Sequence, residues 1–214
     1  MVKKIAIGVL AVVVALVGFV ATRPSSYTVA RSVTVAAPAD ITLGQVSDFH
    51  KWAAWSPWGK LDPNMKVIYS GAESGTGAVY SWTGNDQVGE GRMTITNLVP
   101  NQKVEIKLEF IKPWTSTSAT EFTTVADGAG TKITWSMTGH NGFVEKAFTA
   151  FVDMEGMLAK DFDKGLADLK KAAEAEAKAV AEAAAAKEAA AAEAAKAAEA
   201  AAAEGTAVAA PATP

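Results

Sequence analysis

The sequence contains no cysteine, which removes disulfides and thiolate-bound metals from consideration. Histidine is nearly as scarce. The chain has only His50 and His140, each beside a turn, where an exposed polar role is expected. No metal-ligand spacing is present, and the glycines of GAESGTG (residues 71–77) do not open a helix, as a phosphate-binding loop must. Charge of one sign is not in excess. The formal net charge is −3, and acidic and basic residues nearly cancel between Arg23 and Lys171, so a nucleic-acid footprint is missing. Ser56 precedes a proline and has no identifiable histidine partner. These absences lead us to expect no catalytic constellation, no cofactor and no metal.

What the chain does have falls into three parts: residues 1–26, 27–171 and 172–214. The first opens MVKKIAIGVLAVVVALVGFVATRPSS, with Lys3 and Lys4 before an unbroken apolar run from Ile5 to Ala21. As a helix rising about 1.5 Å per residue, that run spans roughly 25 Å, short but workable against a hydrocarbon core of about 30 Å. A retained membrane anchor is the favoured reading. A cleaved signal peptide is the alternative, although Phe19-Val20-Ala21 places a phenylalanine where cleavage needs a small residue. The two lysines outweigh Arg23 locally, which would put the rest of the chain outside the cytoplasm. The last part, from Ala172 to Glu204, is alanine punctuated by glutamate and lysine, the composition of a semi-rigid helical spacer. Gly205 is expected to end that helix. The tail reads either as a solvated low-complexity extension or as a rod that reaches a partner in the cell envelope.

The middle alternates. YTVARSVTV reads as a strand, and Pro38 starts a small helix. Six more short strands follow a tryptophan-rich stretch, separated by tight turns rich in Gly, Asn and Pro, so antiparallel neighbours are expected. Val104, Ile106, Leu108 and Phe110 share one face, and Glu105, Lys107 and Glu109 the other. From Asn141 the period changes. Val144, Phe148, Phe151, Met154, Leu158, Phe162, Leu166 and Leu169 step by three or four, predicting one long amphipathic helix. Seven strands at roughly 4.8 Å make a sheet near 30 Å wide, whereas a helix is about 10–12 Å across. The sheet must therefore curl around the helix, and an apolar cavity is expected between them.

This order is that of an α+β helix-grip fold: a strand, two small helices, a six-stranded meander and a long C-terminal helix. The residues RSVTVAAPADITLGQVSDFHKWAAWSPW, GTGAVYSWTGNDQVGEGRMTI, TKITWSMTG and DFDKGLADLKK carry a resemblance. The sequence resembles the SRPBCC, or START-like, superfamily, and within it the polyketide cyclase/dehydrase and lipid-transport branch. That resemblance covers roughly residues 27–171 and implies a cavity for a hydrophobic small molecule or lipid. Some members of the superfamily are aromatase/cyclases.

Candidate ligand-binding residues are Trp55, Tyr80, Trp82, Phe110, Trp135, Met137, Phe148, Phe151 and Met154. Polar candidates are Tyr80, Glu90, Arg92 and Glu121. Arg92 alternates with Thr94 and Thr96, opposite Met93 and Ile95, and is expected to face water; an inward Arg92 could pair with a ligand carboxylate or with Glu90 or Glu121. Trp52, Trp55 and Trp58 fall three apart in DFHKWAAWSPWGK. They could plug the end of the curled sheet, stack on a ligand or sit at a membrane interface, and plugging is favoured. Trp55 is expected to be buried and the other two partly so, near the cavity mouth. The functional expectation is an anchored binding protein for a hydrophobic molecule. The alternatives are a cyclase-like enzyme and an envelope scaffold acting through the tail.

Overall fold

In the computed structural model the backbone is described for residues 1–207 and the side chains for residues 1–198. The apolar head forms α1 (Val2–Ala21), which is long and apolar enough to cross a membrane and is almost wholly exposed. β1 (Ser26–Val35) follows, then α2 (Ala39–Ser47) and the short helix α3 (Trp52–Trp55). The meander comprises β2 (Lys66–Gly71), β3 (Ala78–Thr83), β4 (Glu90–Val99), β5 (Lys103–Lys112), β6 (Ser116–Asp127) and β7 (Gly130–His140). Two helices close the chain, α4 (Phe143–Thr149) and α5 (Met154–Ala207). The chain divides after Glu174 into two units.

All seven strands form one antiparallel sheet in the order β1-β7-β6-β5-β4-β3-β2. This is the curved sheet of the helix-grip fold. β1 and β2 lie at opposite edges, so residues 36–65 must cross the whole sheet to join them. That crossing carries α2, α3 and the tryptophan stretch over the inner face, where α2 lies against β5, β6 and β7. Alternation aims Val104, Ile106, Phe122, Ile133 and Trp135 inward, all buried. Outside, Arg92 and Lys107 pair with Glu109 at 2.8 and 2.7 Å. These two partners, Lys107 foremost, hold the Glu109 carboxyl below its usual range.

The long helix departs from the expected one. Asp153 accepts a hydrogen bond from the Gly156 amide at 2.9 Å and starts a new helix inside what reads as a single run. Val144, Phe148, Phe151 and Met154 are consequently exposed rather than packed on the sheet. The buried stripe begins later, with Ala159, Phe162, Leu166, Leu169 and Ala173, spaced by three and four. Each large side chain in it contributes roughly 1.5–3 kcal/mol by leaving water. Gly165 lets this stripe come close, because a Cβ there would meet the Trp135 ring at 2.9 Å and Pro57 at 3.1 Å. In the second unit every described side chain from residue 178 on is exposed. Gly205 does not end the helix, which continues to Ala207. A glycine within a helix costs only about 1 kcal/mol against alanine, and the alanine-rich flanks absorb it.

Candidate hydrophobic ligand cavity

The interior is organised by aromatic rings. Trp135 on β7 stacks on Phe162 of α5 with centroids 3.9 Å apart and planes 8° apart, and on Phe122 of β6 at 4.9 Å. Trp55 meets Trp135 edge-on at 5.7 Å, and Trp58 does so at 5.6 Å. This stack fills the interior under β6 and β7. Towards β3 and β4 the rings continue through Trp52, Phe49, Tyr80 and Trp82, but they no longer close the space. A cavity of about 210 Å³ remains there, with a second lobe of about 110 Å³ beside Trp52, Met65 and Tyr80.

Local structure sets the walls. β3 alternation brings Tyr80 and Trp82 to the inner face, and Trp82 Nε1 donates to the Val88 carbonyl at 2.9 Å. Gly91 makes room for that indole, since a Cβ there would lie 2.4 Å from it. Asp62 fastens two wall segments together. Its carboxylate accepts from the Asn64 amide at 2.9 Å and the Asn85 amide at 2.7 Å, tying the Met65 turn to the β3–β4 loop. Lys60 pairs with Asp168 of α5 at 2.9 Å and so fixes the end of the tryptophan stretch to the helix. Hydrogen bonding to Lys60, then to Lys171, holds the Asp168 carboxyl below its ordinary range.

Of the sequence candidates, Tyr80, Trp82, Phe110, Trp135 and Met137 come together around the cavity. Trp55 does not reach it. It is fully buried behind the lining, with its Nε1 donating to the Gln45 carbonyl at 3.0 Å. Trp52 is buried as well, rather than partly so, and lines both lobes. Phe148, Phe151 and Met154 also lie outside the lining, because the Asp153 break turns their segment away from the sheet. Glu90, Arg92 and Glu121 face outward and pair with Lys112, Glu109 and Lys103. His50 bonds Asp48 at 3.0 Å and stacks on Tyr69. Thr120 and Leu158 are among the lining residues that the sequence reading missed. Alternation from Phe122 points to the first, and the α5 stripe points to the second.

Among the described residues the lining carries no ionised side chain, and its titratable groups are Tyr80 and, in the second lobe, Tyr69. Burial, with Tyr69 a smaller cause, pushes the Tyr80 phenol up to about 12, so it stays protonated at neutral pH. Two lining residues hold unsatisfied polar atoms: Trp135 Nε1 and Thr120 Oγ1 are shielded from solvent and have no hydrogen-bond partner. Buried polar groups left in that state cost about 1–3 kcal/mol each. Among the described residues no cluster of His, Asp and Glu could hold a metal ion. The arrangement can sequester an apolar guest and offer it a few neutral hydrogen-bonding groups.

A family model described as polyketide cyclase / dehydrase and lipid transport matches residues 26–174. Among solved structures, the chain is similar to the KanY protein, with TM-score 0.53 and 18% identity, over 71% of this chain and 99% of that one. It is similar to protein CV1439 from Chromobacterium violaceum, with TM-score 0.51 and 14% identity over 69% and 96% of the two chains. The Aha1 dimer from Colwellia psychrerythraea gives the same values. At such identities these likenesses speak to the fold alone. No curated protein matches the chain.

Proposed function

The chain belongs to the polyketide cyclase/dehydrase and lipid-transport family, and on that premise we propose that it binds one small, neutral, mostly apolar molecule in the cavity between sheet and helix. The observation that carries this reading is the lining: aromatic and aliphatic walls with no charged side chain. A cavity of about 150 Å³ accommodates benzene, so about 210 Å³ suits a guest of one or two rings or a short branched chain. With its second lobe the space approaches the lower end of the roughly 300–1,000 Å³ typical of small-molecule pockets.

In this proposal the three parts of the chain divide the work. Residues 1–26 anchor the protein in a membrane, with the domain outside the cytoplasm, residues 27–171 bind the ligand, and residues 172–214 act as a spacer towards an envelope partner. Binding is tested on the full chain in lipid nanodiscs by quenching of indole fluorescence. The neutral probe 2-naphthol should quench and saturate, and the anionic 2-naphthoate should bind at least about tenfold more weakly, because the apolar lining desolvates a charge without pairing it. Equal binding of the two, or no saturable quenching by either, rejects the reading. Leu108→Trp, which fills the void, should abolish the signal from 2-naphthol.

A further inference from the structure

We propose that the α4–α5 elbow and the β5–β6 turn form one face that docks into a lipid bilayer beside α1. This inference rests on reading α1 as a membrane anchor. It adds a second contact with the bilayer, made by the folded domain itself.

Strand pairing places several segments at one end of the sheet. Ser26 pairs with His140, Ser118 with Gly139, and Phe110 with Ser116. The start of β1, the end of β7 and the β5–β6 turn are therefore neighbours. The Asn141 amide extends the first pairing by donating to the Ser25 carbonyl at 2.9 Å. α1 leaves from this same end, and only Thr22 to Ser25 separate it from β1. At about 3.3–3.6 Å per residue, that linker cannot hold the end of the sheet more than roughly 15 Å from the end of the span. α4 begins three residues after β7 ends and lies beside α1.

This end is also where the domain leaves its large apolar side chains in water. Phe143, Val144, Phe148, Phe151, Met154 and Met157 are all exposed, Val144 and Phe151 by 72% and 75%. No residue of α4 is buried. On the neighbouring turn Trp114 is 71% exposed, and Ile111 beside it is exposed as well. Tryptophan and phenylalanine at the level of a span's end match an interfacial belt. Charges near the elbow are mixed in sign: Glu145, Lys146, Asp153, Glu155 and Lys160. Apolar insertion, and not attraction to anionic lipid, is therefore the driving force, and a zwitterionic bilayer suffices. Gln87, Val88, Phe110, Met137 and Leu158 of the cavity lining lie towards this same end, so docking brings the cavity close to the acyl chains.

The absence of native cysteine permits a direct test. The full chain is reconstituted in phosphatidylcholine vesicles as Phe151→Cys, Trp114→Cys, Val125→Cys or Val13→Cys and labelled with an environment-sensitive fluorophore. Val125 is exposed at the opposite end of the sheet, and Val13 lies within α1. Labels at 151 and 114 should be blue-shifted and quenched about threefold more by headgroup-level nitroxide lipid than the label at 125, since interfacial side chains sit within about 5–10 Å of that depth. Quenching equal to that at 125 overturns the proposal. A blue-shifted but unquenched elbow label means that a protein surface, such as a second copy, covers it, and this also overturns the proposal. The Val13 label reports on the anchor separately. Deep nitroxide quenching there with a wet elbow leaves the anchor standing and the docking face refuted. A lipid-buried elbow with a water-exposed α1 label refutes the anchor and, with it, a face docked beside α1.

Discussion

The two halves of the domain interior use the same kinds of residue to opposite ends. Under β6 and β7, Trp55, Phe122, Trp135 and Phe162 stack face to face and edge to face, and only Thr120, Trp135 and Met137 of these strands border the open space. Under β3, β4 and β5, Tyr80, Trp82, Phe110, Met93 and Leu108 stand around a void. The difference comes from what crosses the sheet. α2, α3 and the buried stripe of α5 press on the first half, and Gly165 lets them come close. The second half is roofed by the Trp58–Met65 segment and the β3–β4 loop, held to each other by Asp62 and not driven into the sheet. A packed half gives the fold its stability and leaves the other half free to keep a hollow.

Truncation separates the halves most sharply. Phe162→Ala removes the partner of Trp135 and opens a cavity in the filled half, so it should cost about 3–5 kcal/mol. Leu108→Ala enlarges a void that already exists on a half-buried residue, and its cost should fall near or below about 2 kcal/mol, the low end for such a change. Urea unfolding of the chain in nanodiscs, followed by indole fluorescence, measures both. Equal losses would mean that the cavity closes in solution and that the contrast is only apparent.

Much of this contrast was legible in the sequence. Period two in KVEIKLEFI showed which side chains face inward, and the change of period after Asn141 announced a closing helix. A period identifies a face but not what meets it. Phe148 and Phe162 fall in the same pattern, yet one is exposed and the other fully buried, because Asp153 restarts the helix between them. Trp52, Trp55 and Trp58 repeat every three residues, but only Trp52 and Trp58 reach the void. Trp55 is drawn behind them by its bond to Gln45. Which ring closes a gap and which leaves one is decided by non-local approach, such as that of α5 to Trp135, and no local pattern encodes it.

Two buried threonines sharpen the comparison at smaller amplitude. Thr131, towards the filled half, donates from Oγ1 to the Ala37 carbonyl at 2.8 Å, whereas Thr120, beside the hollow, has no partner. Thr131→Val leaves a buried carbonyl short of a donor and should destabilise by about 1–2 kcal/mol. Thr120→Val removes a group that is already desolvated and unsatisfied, so it should be neutral or stabilising by up to about 1 kcal/mol. Loss of stability in both would show that Thr120 is hydrogen-bonded in solution and that the cavity is wetter than its lining suggests.

The smallest effect belongs to Tyr80, one of three tyrosines. Its phenol is pushed up to about 12 in the folded chain, first by burial and then by Tyr69, against about 10 when unfolded. Below about pH 10 both states are protonated, and the contribution of Tyr80 is complete. Between about pH 10 and 12 the unfolded chain loses this proton while the folded chain keeps it, so stability falls as pH rises. Absorbance of the tyrosinate band should therefore show a late component towards about pH 12, and Tyr80→Phe should remove that late component. The same substitution should flatten the decline of Tm between about pH 10 and 12. A guest in the cavity should delay the Tyr80 titration further by excluding water. If Tyr80→Phe removes no late component, Tyr80 is solvated, and the hollow half is an open cleft and not a dry pocket.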